Sequence, residues 1–380
     1  MLTSSFHTKY ATANDRNAAQ RSQTPAFVLP RECMQPGRWV RNISRNPAYV
    51  YYPNRHFDHT GDAQHLFRPS EGQPYRESLL WWWEPRYGSC ILPTLDSFHA
   101  CKRLRLSGIE RVMFVGDSVS FMQAGSFHFI TGGANTSAPR ISVAAPTKAK
   151  FKPRLLCNRH RLNLELYYIR NDYLTLHREL DRCGSEAPGN IAVGSPQLGC
   201  SWDHGVKCRC HAWLPHYLND SRRTLLVLNM GAHFHGFEPY RQAFEALVVA
   251  LQTERIGRSR GDVVVFRTTP AGHAECDHFT KPVESEFDLA PIIGSVYENF
   301  GWQNFALFNE YAKYALAMAT KNSVKNRGNA AQSAPMHILD VVPITSLRPD
   351  GHRDCLHYWL PGVVDWWNVL LFKGLRHRIP

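Results

Sequence analysis

Arg111-Val112-Met113-Phe114-Val115-Gly116-Asp117-Ser118 is the stretch on which the fold turns. Its first five residues form a short, nearly continuous apolar run, the pattern of a strand buried on both faces. Gly116 then permits a sharp turn, and Val119 to Ile130 reads as a helix. Outward from this unit the alternation repeats. Asn163 to Ile169 is β-rich and alternating, Thr224 to Leu228 and Asp262 to Arg267 are buried strands, and His337 to Val342 is another apolar strand. Helical spacing covers Glu238 to Glu254, Phe305 to Thr320 and Val363 to Lys373. Strands apolar on both faces, alternating with helices, predict an α/β domain with a central, mainly parallel sheet covered by helices. Cys33 to Gly88 is loop-rich and aromatic and includes Trp81-Trp82-Trp83, so it reads as a smaller lobe. Residues 1–30 read as a disordered or truncated lead, and the Gly/Ala/Ser/Thr-rich stretch from Gly132 to Pro146 as a surface loop.

In such sheets ligands bind at the carboxyl ends of the strands, so the residues that follow each strand come first. Ser118 follows the first strand and opens a helix, where unpaired backbone N–H groups favour developing negative charge. That suits a serine nucleophile whose own N–H helps to hold an oxyanion. Asp117 and Ser118 are equally good helix N-caps, so the tripeptide alone decides nothing. A base is needed, and 19 histidines make the mere presence of one uninformative. Asp354-Cys355-Leu356-His357 follows the last strand, and an aspartate three residues before a histidine can bond Nδ1–H and leave Nε2 facing a hydroxyl. A capping Asp beside a surface His is the bland alternative. Asn229, in Asn229-Met230-Gly231-Ala232-His233, could donate its amide to an oxyanion; Arg267 and nearby His273 close another strand.

Composition is that of a globular chain: 380 residues, 43% hydrophobic, 12% aromatic and 20% charged. Whole-chain disorder is excluded, and no apolar run approaches the roughly 18–20 residues of a membrane-spanning helix. The net charge of +12 points to an anionic partner. No nucleic-acid module is present, and the positive charges are dispersed except between Lys148 and Arg161. Ten cysteines and the sequons at Asn42, Asn135 and Asn219 favour the secretory pathway, whereas Met1 to Gln23 is polar and lacks a signal-like apolar stretch. An N-terminal membrane anchor is therefore absent from this chain, and a truncated leader is the expectation. Cys183, Cys200, Cys208, Cys210 and His211 lie close together, but one residue between Cys208 and Cys210 is poor zinc spacing, so a disulfide-tied loop is preferred to a metal site.

Several motifs, in order, resemble the trichome birefringence-like family, in the PC-esterase group of the SGNH/GDSL superfamily. They are Trp83-Glu84-Pro85, Cys90-Ile91-Leu92-Pro93, Arg111 to Ser118, Phe266-Arg267-Thr268, Asp354 to Gly362 and Asp365-Trp366-Trp367-Asn368. The resemblance implies an SGNH-like three-layer α/β/α core with a smaller loop-rich lobe, no metal, and O-acetylation of cell-wall polysaccharides in the Golgi. It puts the nucleophile at Ser118, the Asp-x-x-His pair at Asp354 and His357, and the oxyanion donors at Ser118, Asn229 and Gly231. A triad drawn from both ends makes residues 31–380 one catalytic unit. Luminal disulfides are expected, with Cys33–Cys90 and Cys276–Cys355 as the proposed pairs. The sequence departs from the family at Phe121 and Met122, where Arg and Asn are usual, and at Trp359, where a cysteine is common.

The expected activity is a serine-dependent polysaccharide O-acetyltransferase working through an acyl-enzyme on Ser118. No cofactor is expected beyond an acetyl donor such as acetyl-CoA or an acetylated intermediate. An acetyl esterase with the same triad and a non-catalytic glycan-binding protein are the alternatives. Asp117, Arg267, His273 and Trp366 are the expected substrate contacts, with Trp81 to Trp83 and Trp367 as further stacking candidates. Lys148, Lys150, Lys152, Arg154, Arg159 and Arg161 would line a groove for an acidic polysaccharide.

Overall fold

The computed structural model describes residues 27–42, 77–86, 88–93, 96–132, 153–176, 213–254, 256–257, 261–285, 301–325 and 336–377. The six-stranded sheet contains β3 (Arg111–Gly116), β4 (Arg154–Leu156), β5 (Leu164–Arg170), β6 (Thr224–Leu228), β7 (Val263–Arg267) and β8 (His337–Leu339). Its order is β4-β5-β3-β6-β7-β8. All neighbouring pairs are parallel except β4 with β5. A separate antiparallel pair joins β1 (Arg38–Arg41) to β2 (Trp81–Glu84).

Side-chain alternation along β3 explains the three layers. Val112 and Phe114 face one apolar cluster, while Met113 and Val115 face another. Helices α1 (Ser97–Leu106), α2 (Ser118–Ile130) and, near the C-terminus, Val363–Gly374 cover the first face. The second face is covered by the short helix α3 (Leu214–Leu218), α4 (Phe237–Thr253) and α5 (Phe305–Lys325). With α6 (Val342–Thr345) between, the C-terminal helix is α7. Phe127 of α2 stacks on Phe372 of α7 with ring centroids 4.9 Å apart, and burying each ring contributes about 2–3 kcal/mol. The expected α/β architecture with a mainly parallel sheet is what forms.

The expected strands and helices all appear, with shifted ends. The strand expected over His337 to Val342 stops at Leu339, because the Asp340 carboxylate accepts the Thr268 hydroxyl at 3.1 Å and the Val342 N–H at 3.2 Å and so starts α6. The small lobe is not detached: Trp39 and Trp83 belong to the same apolar cluster as α2 and α7. Cys33–Cys90 and Cys276–Cys355 are both bonded, and a third bond, Cys101–Cys157, ties α1 to the end of β4. The packed chain also begins earlier than expected. Phe27, assigned to the lead, is buried, and the Val28 N–H donates to Gly374 O at 2.8 Å.

Candidate active site

The turn after β3 presents Ser118. Gly116 is required there because a Cβ would overlap Ser120 Oγ and come within 2.7 Å of Asn229 O. Asp117 caps α2, its Oδ1 accepting from Val119 N at 2.9 Å and Ser120 N at 3.1 Å. Ser118 is the first helical residue, so its N–H has no acceptor within the helix.

Ser118 Oγ lies 2.6 Å from His357 Nε2. Nδ1 of the same ring lies 2.9 Å from both oxygens of Asp354. Asp354 Oδ1 also accepts the His357 backbone N–H at 2.7 Å, so the carboxylate fixes both the turn and the ring. Burial pushes the Asp354 carboxyl up, but its hydrogen bonds to His357 and to backbone N–H groups outweigh that and hold it below its ordinary value. With Nδ1–H donating to the carboxylate, Nε2 carries the lone pair that faces the serine hydroxyl. The Cys276–Cys355 bond and the His273 N–H donating to Cys355 O at 2.9 Å anchor this turn to the segment after β7.

The other expected site residues divide. Gly231 lies where a Cβ would overlap Thr269 Oγ1, and its N–H has no acceptor among the described residues, which leaves it available as an oxyanion donor. Asn229 is not: it is buried, and its Nδ2 donates to Arg267 O at 2.9 Å and Thr269 Oγ1 at 3.3 Å, which uses both amide hydrogens. Asp117 is fully buried and committed to capping rather than to a substrate. Arg267 is also fully buried, donating to Thr268 O at 2.9 Å and Ser120 Oγ at 3.1 Å with its guanidinium over Trp367. Burial lowers its pKa to about 10. It supports the serine turn from below, through Ser120 Oγ.

His273 is likewise inside. Its Nε2 lies 2.7 Å from Ser346 O and therefore donates, leaving Nδ1 to accept from His352 Nε2 at 2.6 Å. Burial pushes His273 down to about 4. Trp366 is half-buried, edge-on to Trp39 and Trp82 at 5.9 and 5.3 Å. Trp81 and Trp82 are half-buried too, whereas Trp83 and Trp367 are core residues. Phe121 packs edge-on against Tyr168 with ring centroids 5.1 Å apart.

Among the described residues of the expected basic groove, none lies beside the serine. Arg154 is buried, and Arg159 and Arg161 precede β5, at the end of the sheet opposite Ser118. Lys148, Lys150 and Lys152 lie outside the described residues, as do Asn135, Cys183, Cys200, Cys208, Cys210 and His211. Among the described residues, Cys276, Asp277 and Cys355 come together as potential metal ligands, but both cysteines are in a disulfide and offer no thiolate.

One cluster at the site was not expected. Arg170 Nη2 donates to Asp172 Oδ2 at 2.9 Å, and its Nε donates to Oδ1. His233 Nε2 lies 3.2 Å from the same Asp172 Oδ2. No local pattern signals it: Arg170 ends β5, His233 follows β6, and the two are brought together only because β3 lies between those strands.

Residues 92–374, well over half of the chain, match the PC-Esterase family, described as a GDSL/SGNH-like acyl-esterase family found in Pmr5 and Cas1p. The chain is 23% identical over 360 residues to trichome birefringence-like protein 38 of Arabidopsis thaliana, covering 89% of this chain and 82% of that protein. It is 24% identical over 361 residues to xyloglucan O-acetyltransferase 1 of the same plant, covering 83% and 74%. The corresponding protein of Populus trichocarpa is 21% identical over 410 residues, covering 93% and 84%.

Proposed function

Because this chain belongs to the PC-esterase family of acyl-esterases, we propose that it is a serine-dependent polysaccharide O-acetyltransferase. The observation that carries this reading is the Ser118–His357–Asp354 relay, with its 2.6 Å contact between Ser118 Oγ and His357 Nε2. Ser118 Oγ attacks the carbonyl carbon of an acetyl donor while His357 Nε2 takes the hydroxyl proton. Asp354 holds the ring and stabilises the imidazolium. The N–H groups of Ser118 and Gly231 receive the oxyanion. Collapse expels the donor's leaving group, which takes the proton from His357, and leaves an acetyl ester on Ser118. A sugar hydroxyl then gives its proton to His357, attacks that ester and leaves as the acetylated sugar, and Ser118 regains its proton. The donor is a thioester such as acetyl-CoA or an acetylated intermediate.

Relatives named xyloglucan O-acetyltransferase support a polysaccharide acceptor. Three disulfides support an oxidising lumen such as the Golgi. Among the described residues no helix is long and apolar enough to cross a membrane. An acetyl esterase would use the same residues, with water replacing the sugar hydroxyl. Incubation with an acetyl donor and an unacetylated oligosaccharide separates the two: acetylated oligosaccharide in excess over free acetate is the expected product, and acetate alone would make the protein an esterase.

A further inference from the structure

His357 lies in a short hairpin between η-turn residues and α7, outside any long strand or helix. His352 bridges Tyr358 across it, and the Arg353 N–H donates to His357 O at 2.7 Å. Cys355, at the tip, has φ +64, an uncommon left-handed conformation for a residue with a β-carbon, which persists where the surroundings hold it. Besides the disulfide to Cys276, His273 holds this hairpin at two levels. Its backbone N–H donates to Cys355 O at 2.9 Å, at the tip. Its ring reaches the base, where Nδ1 lies 2.6 Å from His352 Nε2.

Proton positions follow from this chain of contacts. Ser346 O can only accept, so His273 Nε2, 2.7 Å away, carries the ring hydrogen, and the bare Nδ1 accepts from His352 Nε2–H. Both rings are buried, which shields the bond between them from water. The His352 ring also stacks on Tyr358 with centroids 4.0 Å apart, and the Tyr358 hydroxyl donates to Ala271 O. Ala271 and His273 both belong to the segment after β7, so the two sides of the hairpin base are tied to the sheet. His357 adjoins Tyr358, and a displacement on the order of 1 Å from its 2.6 Å contact with Ser118 Oγ would slow proton transfer about a hundred-fold. We propose that His273 and His352 are positioning residues: their ring-to-ring hydrogen bond fixes the hairpin that presents His357 to Ser118. This rests on the serine-nucleophile reading, and the two rings act through the hairpin rather than on the reacting atoms.

An asparagine amide stands where a histidine Nδ1 stands, and a glutamine amide where Nε2 stands. The bond joins Nδ1 of His273 to Nε2 of His352, so the conservative substitutions are crossed. His273→Asn and His352→Gln keep it, whereas His273→Gln and His352→Asn break it. The readout is the rate at which a fluorophosphonate labels Ser118 of the full-length protein at pH 8, which reports the serine–histidine pair whether the acyl group later passes to a sugar or to water. The breaking variants should label about ten- to hundred-fold slower, and the keeping variants should recover the rate to within about three-fold. A merely structural role would make the rate follow the melting temperature, with no reversal of Asn and Gln between the two positions. Equal rates for Asn and Gln at both positions, or slow labelling in folded keeping variants, would overturn the proposal. Should the breaking variants fail to fold, two-bond nitrogen–proton spectra of the unmodified protein decide: both rings should carry hydrogen on Nε2, and hydrogen on Nδ1 of His352 instead would overturn it. Failure of the serine reading shows separately, as absence of label on Ser118 of the unmodified chain.

Discussion

Ser118 Oγ and His357 Nε2 stand 2.6 Å apart across 239 residues of sequence. The closeness is set by two helices. Ser118 opens α2, and His357 precedes α7, whose N-terminal turn is clamped to α2 by Ser126 Oγ donating to Asp365 Oδ1 at 2.5 Å. Asn368 Nδ2 adds bonds to Gln123 O at 3.1 Å and Ser126 Oγ at 2.9 Å. This buried polar seam holds the two ends of the chain in register.

Asn368→Ala should loosen that seam. It leaves Gln123 O and Ser126 Oγ short of a donor in a buried interface, at a cost of about 1–3 kcal/mol. Urea unfolding should show the loss, and turnover should fall with it. Unchanged stability would mean that apolar packing alone positions the helices.

Asp354→Asn should preserve the turn, since an amide oxygen can still accept the His357 and Leu356 backbone N–H groups. It should misorient the ring tautomer, and loss of turnover by about 10³–10⁴-fold is expected by analogy with other serine triads. Turnover in acetyl transfer is the readout, with the melting temperature nearly constant.

Arg267→Lys should behave as a structural lesion. A lysine cannot reproduce the fork that reaches Thr268 O and Ser120 Oγ beneath the serine turn. A loss of about 1–3 kcal/mol in stability is expected from the buried partners left unpaired. The acceptor KM of whatever enzyme remains folded should not change, whereas a substrate-binding arginine would give the opposite pattern.

Acid should destabilise the fold through buried histidines. Burial lowers His273 and His337 to about 4 and His352 well below its ordinary value. Because the folded values lie below the unfolded value near 6.5, the unfolded chain binds more protons in between. Stability from these groups is therefore complete above about pH 6.5 and is lost as pH falls towards 4, at up to about 1.4 kcal/mol per pH unit for each histidine. Urea midpoints at pH 7 and pH 4.5 should differ accordingly, and His337→Asn should reduce the slope.

The buried strands were readable because Val112 to Val115, Leu225 to Leu228 and Val263 to Phe266 are apolar on successive residues. β4 was not, since three residues, Arg154–Leu156, carry no period that a sequence can show. The contact between Asp354 and His357 was readable because a three-residue spacing dictates it, and the structure sets Ser118 beside that pair. The site was misread at Asn229, Arg267 and His273. The strand-end rule locates a residue along the chain but not the direction of its side chain. Arg267 continues the row of Val263 and Val265, which faces the α2/α7 cluster, and so it points inward. The meeting of Asp172 and His233 was invisible for the converse reason, because it depends on β3 lying between β5 and β6.

The nucleophile is the centre of the account, and mass spectrometry of the intact protein after brief exposure to an acetyl donor tests it most directly. A single added acetyl group, mapped to the peptide containing Ser118, absent in Ser118→Ala and discharged by an oligosaccharide acceptor, is the predicted result. A Ser118→Ala protein that still carries the adduct and still transfers acetyl groups would contradict it.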